Sequence, residues 1–469
     1  MRRTTGLALA IGFGSMLSIS IFSTESLAIP AFARKYETSC QTCHIAYPKL
    51  NAFGEAFRLN GYRYPDETED QVKETPVSLG AEAWKLVWPD GVWPGSIPSN
   101  SPWAFRTNFN TNYSSKTGDH GREFIKWDFA FPPAVELYAG GTMGDDMSFF
   151  AGLEFEQEVE DGELRSMAMI HQAELHWNDL FGHTDLLNMK IGYFEPEIIS
   201  GFSHMRRLTF SDYTSLFSYL PVGPDGGEGI GGGGHHGGGG AGLAVPKKVT
   251  GLELYGIVNH RFLYTAGIAS GQGPGTESYD GNTAKDYYAK VSYKIGGMGL
   301  DGTTTGGEGA EPVETENWID NSLKLSLFGY FGNGEDIQYS MGTQPALLED
   351  VSFNRIVFDA SMYIGNLNVF GTFLSGSDVL REGGDSSTDQ TYSYSAMFVE
   401  ANYVLKPWII GVLRYETLTP ASDHAESYEM LIPNLTLLVR ANVKFIMEFQ
   451  QNLVDKNNYT FMTGVDFAF

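Results

Sequence analysis

From residue 103 to its last residue, the chain alternates apolar and polar side chains with a period of two. In the first run, Trp103, Phe105 and Phe109 alternate with Arg106 and Asn108. This period is typical of β-strands that are apolar on one face only. Runs of this kind cover residues 103–113, 123–142, 148–156, 164–176, 186–195, 249–259, 261–270, 284–296, 319–332, 351–363, 366–376, 391–404, 407–417, 424–432, 434–449 and 459–469. Alternating segments of about ten residues, joined by short turns and long loops, are typical of a transmembrane antiparallel β-barrel of the outer membrane.

The runs amount to about sixteen strands if residues 123–142 form one strand that bends at Pro132-Pro133. An even number returns both ends of the barrel to the same, periplasmic side. Counting back from Phe469 then puts the long connection 196–248 on the outside.

Short turns are predicted at three places between the strands. They are Gly365-Asn366, Lys406-Pro407 and Pro433-Asn434. Each combines residues that favour turns and lies between two alternating runs.

The chain ends on an alternating strand. Phe461, Val465 and Phe469 share one face, and Gly464 and Asp466 share the other. A last strand that ends on Phe resembles the assembly signal of bacterial outer-membrane barrels. A soluble β-sandwich or propeller is the alternative; it predicts shorter strands or a repeat of about 40–50 residues, which the sequence lacks. The sequence after the N-terminus also lacks any run of about 18 apolar residues, which excludes a bundle of transmembrane helices.

The stretch Cys40-Gln41-Thr42-Cys43-His44 has the spacing of a c-type haem attachment site. One turn of backbone presents both sulfurs to the two vinyl groups of the porphyrin, and His44 reaches the iron as proximal axial ligand. The chain has 2 cysteines in all, so none remains for a disulfide or a thiolate zinc site. A thioredoxin-like CxxC pair is the alternative, but the βαβ pattern expected beside it is missing. We therefore predict one covalently bound haem c.

The N-terminus has the pattern of a secretory signal peptide. Arg2 and Arg3 precede the apolar residues 6–22, and Ser26-Leu27-Ala28 supplies a small-x-small cleavage site. The prediction is a signal peptide over residues 1–28 that is removed in the mature protein. An uncleaved membrane anchor is the alternative, and it would need a longer apolar run.

The remainder divides into a haem-binding segment, residues 29–100, and a porin-like barrel, residues 101–469. The first segment is too small to bury a haem alone, so we expect it to pack in or at the barrel lumen. Residues 48–61 predict one short helix in it, with Pro48 in the first turn and Gly61 closing the C-terminus.

Three apolar residues recur at helical spacing within this helix, namely Leu50, Phe53 and Phe57. They are expected to pack either on the porphyrin face or on the wall of the larger domain. Both contacts are compatible with the pattern.

The sixth ligand of the iron cannot come from the haem-binding segment. Between Ile45 and Asp119 the sequence contains neither Met nor His. The iron is therefore either five-coordinate or takes a ligand from the barrel. The candidates are His204, Met205, His176 and Met462, of which the last two fall on the lumen-facing register of their strands.

A second metal site is conceivable at His235-His236, which lie within a glycine tract. Paired imidazoles in a flexible loop can bind transition metals at the protein surface. A solvated glycine loop without a ligand is the simpler interpretation. The net charge of −26 repels nucleic acid and attracts cations.

The N-terminal motif also carries a family resemblance. Phe32-Ala33-Arg34-Lys35-Tyr36 runs into Cys40-x-x-Cys43-His44, which is followed by Pro48-x-Leu50-Asn51-x-Phe53-Gly54-x-x-Phe57. With its acidic, porin-like remainder, the chain resembles the fused monohaem cytochrome–porins in the outer membrane of iron-oxidising bacteria. Only the N-terminal thirty or so residues are motif-specific. The resemblance implies a protein embedded in outer-membrane lipid that takes electrons from extracellular Fe(II) and passes them through one haem to a periplasmic cytochrome.

On that resemblance the chain would act as an iron(II) oxidase in the sense of an electron-transfer protein. Two other functions use the same architecture. One is a passive diffusion porin whose haem segment is a plug, and the other is outward electron transfer to metal oxides. Similar N-terminal segments also occur in porin-like cytochromes of unassigned substrate, so the motif alone does not select among these functions.

Overall fold

The fold was examined in a computed structural model of the full chain. It describes residues 31–64, 77–78, 86–87, 96–97, 102–117, 123–130, 134–144, 146–160, 163–182, 184–198, 206–213, 216, 245–270, 283–303, 316–333, 336–341, 344–382, 386–419 and 427–469. The signal peptide predicted over residues 1–28 lies outside these residues. Neither α-helix among them is long and apolar enough to cross a membrane.

The described part of the chain after residue 102 forms one closed antiparallel barrel. Its segments are β5 (Trp103–Thr117), β6 (Glu123–Ala130), β7 (Ala134–Met143), β8 (Met147–Glu160), β9 (Glu163–Trp177), β10 (Asn188–Phe194), β11 (Val249–Val258), β12 (Phe262–Ser270), β13 (Lys285–Gly296), β14 (Ser322–Gly332), β15 (Asp336–Met341), β16 (Gln344–Ile364), β17 (Leu367–Glu382), β18 (Gln390–Lys406), β19 (Ile409–Thr419), β20 (Tyr428–Arg440), β21 (Val443–Asn452) and β22 (Tyr459–Ala468). Short 3₁₀ turns lie at Leu180–Gly182 and Ser386–Thr388.

Two of the barrel strands are interrupted. Both β6 and β7 pair with β5, and both β14 and β15 pair with β16. Each pair of segments therefore counts as one strand, which gives a barrel of sixteen strands. This confirms the predicted all-β barrel and the predicted interruption of the second strand.

The barrel is apolar outside and polar inside. In β13 the exposed side chains include Tyr287, Val291 and Tyr293, whereas Asp286, Lys290 and Ser292, at the alternate positions, are buried in the lumen. This reverses the arrangement of a soluble protein and is the architecture of outer-membrane porins. Because lipid and lumen alternate along every strand, the period of two persists to the C-terminus, as the sequence predicts.

The first and last strands close the barrel. Phe105 and Phe469 exchange two backbone hydrogen bonds, with N···O distances of 2.6 and 2.9 Å. The start of β5 and the end of β22 therefore lie at one rim, which we call the near rim. The turns 365–366, 407–408 and 441–442 lie at the same rim, and the connection between β10 and β11 begins at the opposite, far rim.

One predicted turn was wrong. Pro433 and Asn434 lie inside β20, and the turn that follows this strand is at residues 441–442. Pro433 pairs with Leu413 of β19, but the ladder to β21 skips it because proline has no N–H to donate. The Gly365-Asn366 turn is confirmed, whereas Lys406 still belongs to β18 and the turn is one residue further on.

Residues 31–64 fill the lumen at the near rim, and we call them the plug. They contain α1 (Ala31–Lys35), a 3₁₀ turn (Cys40–Thr42), the small hairpin β1 (His44–Ala46) and β2 (Lys49–Leu50), and α2 (Ala52–Leu59). A separate two-stranded sheet joins β3 (Val77–Ser78) and β4 (Ser96–Ile97).

Ionic and polar contacts join the plug to the barrel wall. Arg34 donates to the carbonyl oxygen of Trp103 at the start of β5. Lys35 Nζ is 2.7 Å from Thr142 Oγ1 at the end of β7. Arg63 forms a 2.7 Å ion pair with Asp179 in the turn after β9. These contacts fix both ends of the plug to the wall. Of its two helices, α2 lies within the helix predicted over residues 48–61, whereas α1 was not predicted.

The described start of the connection 195–248 folds into the lumen from the far rim. The backbone N–H groups of Phe210 and Ser211 donate to the carboxylate of Glu448 on β21, at 2.7 and 3.0 Å. Arg414 on β19 donates to Thr209 Oγ1 at 3.1 Å. We call residues 195–198 and 206–213 the inward segment. The connection begins at the rim opposite the two ends of the barrel, which agrees with the side predicted for it, and these described residues of its start fold into the lumen.

Candidate haem-attachment site

The two cysteines lie at the ends of one turn of 3₁₀ helix. The Ser39 side chain caps this turn by accepting from the N–H of Gln41 at 3.3 Å, and the N–H of Cys43 donates to the carbonyl of Cys40 at 3.2 Å. Residues three apart are eclipsed in such a turn, so both thiols lie on the same side of it. Both are free, half-buried thiols. The pair can therefore reach one planar ligand.

His44 follows directly and begins β1. Its Nδ1 lies 3.1 Å from the carbonyl oxygen of Pro48. A carbonyl only accepts, so the proton is on Nδ1 and the Nε2 lone pair is available to a metal. Loss of hydration lowers the pKa of His44 to about 4. The imidazole is therefore neutral at pH 7, the protonation state that metal ligation requires.

Helix α2 holds the motif from behind. Asn51 is its N-cap, accepting from the N–H of Gly54 at 2.8 Å, while its Nδ2 donates to the carbonyl of Thr42 at 3.0 Å. The N–H of Asn51 also donates to the carbonyl of Cys43 at 3.0 Å. A Cβ on Gly54 would lie only 2.0 Å from that same carbonyl oxygen. Only glycine permits this contact between helix and motif.

The helix differs from its prediction at the N-terminal end. It begins at Ala52, and Pro48 lies in the turn between β1 and β2, where its carbonyl accepts from His44. Asn51 sets this start because its side-chain oxygen accepts from the N–H of Gly54 in the first turn of the helix. A proline side chain has no acceptor for that N–H. Gly61 follows the helix with a φ of +63°, which agrees with its predicted place at the C-terminus.

The apolar residues around the motif have different roles. Leu50 is buried in β2, before the helix. Phe57 is buried in the plug core, 5.8 Å from the ring of Tyr36, whereas Phe53 is half-buried and 5.0 Å from the ring of Tyr64. Burial and the neighbouring Cys43 raise the pKa of Tyr64. Tyr64 is thus close enough to the second thiol to be affected by it, and Phe53 packs against the Tyr64 ring.

A charged cluster that sequence patterns did not reveal lies beside His44. The Tyr47 ring is 5.2 Å from the His44 ring, and the Arg106 guanidinium lies over Tyr47 at 5.6 Å. Arg106 pairs with Glu136 at 3.2 Å and with Asp466 at 3.0 Å. These residues are far apart in sequence and meet only because β22 closes on β5. The sequence indicates only that these residues face the lumen, through the alternation of polar and apolar side chains along their strands.

The sequence-derived candidates for the sixth ligand lie apart from the motif or outside the described residues. His176 faces the lumen, as its register predicts, but its ring nitrogens are 3.0 Å from Glu174 Oε1 and 3.3 Å from the Tyr255 hydroxyl. Met462 also lies on the lumen side of its strand, with Sδ 3.2 Å from Gln450 Nε2. His204, Met205, His235 and His236 fall outside the described residues.

The residues present fit a haem c. Two free thiols on one turn, a neutral imidazole with Nε2 available and adjacent aromatic rings are the donor set and surroundings that this group requires. Within the ranges that the structure describes, no cluster of three or more His, Cys, Asp or Glu side chains is arranged to hold a separate metal ion. The candidate site is therefore the Cys40–His44 motif itself.

No family model and no curated protein matches the chain. Its barrel is similar to OmpT of Vibrio cholerae, with 10% identity over 81% of this chain and 99% of that one, at a TM-score of 0.44. It is similar to Salmonella typhi OmpF, solved in complex with daunomycin, with 8% identity over 80% and 98% of the two chains and a TM-score of 0.48. An anion-selective porin from Comamonas acidovorans matches with 10% identity over 79% and 99%, at a TM-score of 0.46. Likenesses this distant carry no argument about ligand or activity, which has to come from the chain's own residues.

Proposed function

We propose that this chain is an outer-membrane electron-transfer cytochrome of the fused cytochrome–porin kind. A single haem c is attached through Cys40 and Cys43, with His44 as proximal ligand. The observation that carries the proposal is the preorganised motif: a capped turn, a neutral imidazole fixed through Nδ1 and a close-packed helix, all held inside a barrel. A redox-active CxxC pair would not need the ordered His44 that follows it.

When bound, the haem supplies one-electron redox chemistry. The chain's own residues attach it, orient it and shape its surroundings. His44 offers Nε2 to the iron, and the carbonyl of Pro48 keeps the proton on Nδ1. The ion pair of Arg106 with Asp466, reached through the Tyr47 ring, adds a fixed local field. Buried fixed charges of this kind shift a haem potential.

For the direction of transfer we propose extracellular Fe(II) as donor and a periplasmic cytochrome as acceptor. The net charge of −26 favours the approach of a divalent cation. The plug lies at the rim where both ends of the barrel meet, which is the periplasmic side in porins. In this scheme Fe(II) is the substrate of an iron(II) oxidase that releases its electron inward.

Passive diffusion through the lumen is a weaker candidate function because the plug and the inward segment meet inside the barrel. Arg58 of α2 pairs with Glu197 of the inward segment at 2.7 Å, and both side chains are largely buried. On the wall, the side chains of Arg355 and Arg414 are almost completely buried, and Arg414 donates to Thr209 of the inward segment. Such a lumen favours a closed, electron-conducting role over an open pore.

The test is a titration of the purified full-length protein with Fe(II) at controlled pH, monitored by the haem absorption spectrum. Reduction by Fe(II), followed by reoxidation with a periplasmic cytochrome, is expected. A protein without haem, or a haem that Fe(II) leaves oxidised, would refute the proposal. Fe(II) added to intact cells separates a conduit from a porin with a buried plug. The measured potential separates inward from outward transfer to metal oxides, because the latter requires a haem that reduces the oxide.

The sixth ligand is tested on the same protein. We propose that the barrel or the connection 195–248 supplies it, which makes the haem low-spin. Alanine is substituted singly at His176, His204, Met205 and Met462, and one variant is expected to become high-spin. Ligation through His176 would require one of its ring nitrogens to give up its hydrogen bond to Glu174 or to Tyr255. Four unchanged spectra would exclude all of these ligands.

A further inference from the structure

One residue of the barrel, Asn317, donates hydrogen bonds to the attachment motif at two positions. Asn317 lies in the connection between β13 and β14, at the near rim. Its Nδ2 lies 2.6 Å from the carbonyl oxygen of Gln41 and 2.9 Å from that of His44. One amide group therefore donates to two carbonyls that flank Cys43. The contact joins residues 276 and 273 positions apart.

The neighbour of Asn317 is itself fixed to the barrel wall. The Trp318 indole N–H donates to Asn366 Oδ1 at 3.1 Å, in the turn between β16 and β17. Asn366 in turn donates to the carbonyl of Val404 at 3.0 Å. The Trp318 ring packs against a buried cluster that includes Ile45 and Ala46. The position of Asn317 is therefore stabilised by the turn between β16 and β17, by the end of β18 and by the residues that follow His44.

The plug supplies only part of the support for these carbonyls. Asn51 reaches the carbonyl of Thr42 at 3.0 Å and that of Gln41 at 3.4 Å, but the carbonyl of His44 accepts from Asn317. The plug holds the ligand residue through the pairing of His44 with Leu50 in the β1–β2 hairpin, and the barrel holds its carbonyl through Asn317. Since the imidazole is fixed through Nδ1 to Pro48, movement of the His44 backbone tilts the ring.

We infer that Asn317 is a positioning residue for the axial ligand His44. It sets the orientation in which the imidazole meets the iron, and it couples the haem site to the connection between β13 and β14. The inference rests on the proposed function, because the role concerns a haem ligand. The contact itself does not, because it is made by the protein alone.

The experiment compares haem-loaded, full-length wild type with Asn317→Ala and Asn317→Asp. Asn442→Ala is the matched control: Asn442 also donates to a backbone carbonyl at the near rim, that of Ala468 at 2.8 Å. Three quantities are measured: hydrogen exchange of the Cys40–Leu50 region, the electron paramagnetic resonance spectrum of the haem and its midpoint potential.

In Asn317→Ala we expect about tenfold faster exchange in the motif, because two hydrogen bonds that hold it are lost. The g-values change because the imidazole takes a new orientation. Asn317→Asp keeps the shape of the side chain but places a carboxylate against two carbonyl oxygens. It should exchange faster as well, and its potential should be lower, since a nearby negative charge favours the ferric haem. Asn442→Ala should match the wild type.

Wild-type exchange in both Asn317 variants would overturn the contact. Faster exchange with unchanged g-values and potential would overturn the positioning role and leave Asn317 as a structural clamp. A wild-type protein that carries no haem would refute the proposed function and with it the positioning role. In that case, the exchange measurement still decides whether Asn317 holds the motif.

Discussion

The contact of α2 with the attachment motif gives a quantitative prediction for Gly54→Ala. A methyl group on Gly54 would lie 2.0 Å from the carbonyl oxygen and 2.9 Å from the carbonyl carbon of Cys43. Both partners are backbone atoms and cannot rotate away, so the helix and the motif must separate by about 1 Å or more to restore normal packing.

The separation breaks two hydrogen bonds between helix and motif, from the N–H of Asn51 to the carbonyl of Cys43 and from Asn51 Nδ2 to the carbonyl of Thr42. Their loss costs about 1 kcal/mol each. Overpacking against rigid backbone adds about 1–3 kcal/mol, and the higher helix propensity of alanine offsets about 1 kcal/mol. The free energy of plug opening should therefore fall by about 2–4 kcal/mol, which corresponds to roughly 30- to 700-fold more open plug.

Native-state proteolysis measures this change. Trypsin cleaves in the plug only when it opens, so the cleavage rate follows the open population. The cleavage sites in the plug are Arg34, Lys35, Lys49, Arg58 and Arg63. Gly411→Ala is the control, because a Cβ there meets no atom within 4 Å. Equal cleavage rates in Gly54→Ala and the control would refute the reasoning that α2 must approach the motif this closely.

Three further changes test other parts of the plug. Arg58→Ala leaves the carboxylates of Glu55 and Glu197 without their guanidinium, and breaking a buried pair costs about 3–5 kcal/mol. We therefore expect the variant to show higher ion conductance than the wild type in planar bilayers. A variant with wild-type conductance would contradict the closed lumen. Burial lowers the pKa of Lys49 from 10.5 to about 8. Between pH 8 and pH 10.5 Lys49 is therefore protonated in the unfolded plug but neutral in the folded one, so the stability of the plug should rise with pH. Subtilisin digestion from pH 8 to 10.5 should slow accordingly in the wild type and not in Lys49→Met; parallel profiles would exclude Lys49 as the cause. Cys43→Ala should leave the haem singly tethered or absent, and an unchanged pyridine haemochrome spectrum would reject the attachment site.

The barrel was predictable because its physics is local. A strand between lipid and a polar lumen must alternate, whatever its neighbours are, so each run from Trp103 onward could be recognised alone. The error at Pro433 has the same origin. Proline is typical of turns, but at this lipid-facing position only the pairings of Ile432 and Pro433 are missing from the ladder to β21, and the strand continues.

The interior of the barrel was not predictable, because its contacts are set by closure. Arg106 meets Asp466 across 360 positions, and Asn317 meets Gln41 across 276. Nothing in the residues around Asn317 indicates a partner near the N-terminus. The start of α2 was within reach of sequence rules, since Asn51 is a better N-cap than Pro48 is a first-turn residue.

The ion pairs in the lumen have a consequence for how the protein responds to salt. Their charges compensate one another and are shielded from solvent, as in Arg355 with Asp378 and Arg414 with Glu416. Mobile ions screen exposed charges beyond a Debye length of about 10 Å at 0.1 M, but they screen buried pairs far less. Ionic strength should thus weaken the attraction of cations to the outside of the protein and leave the plug in place.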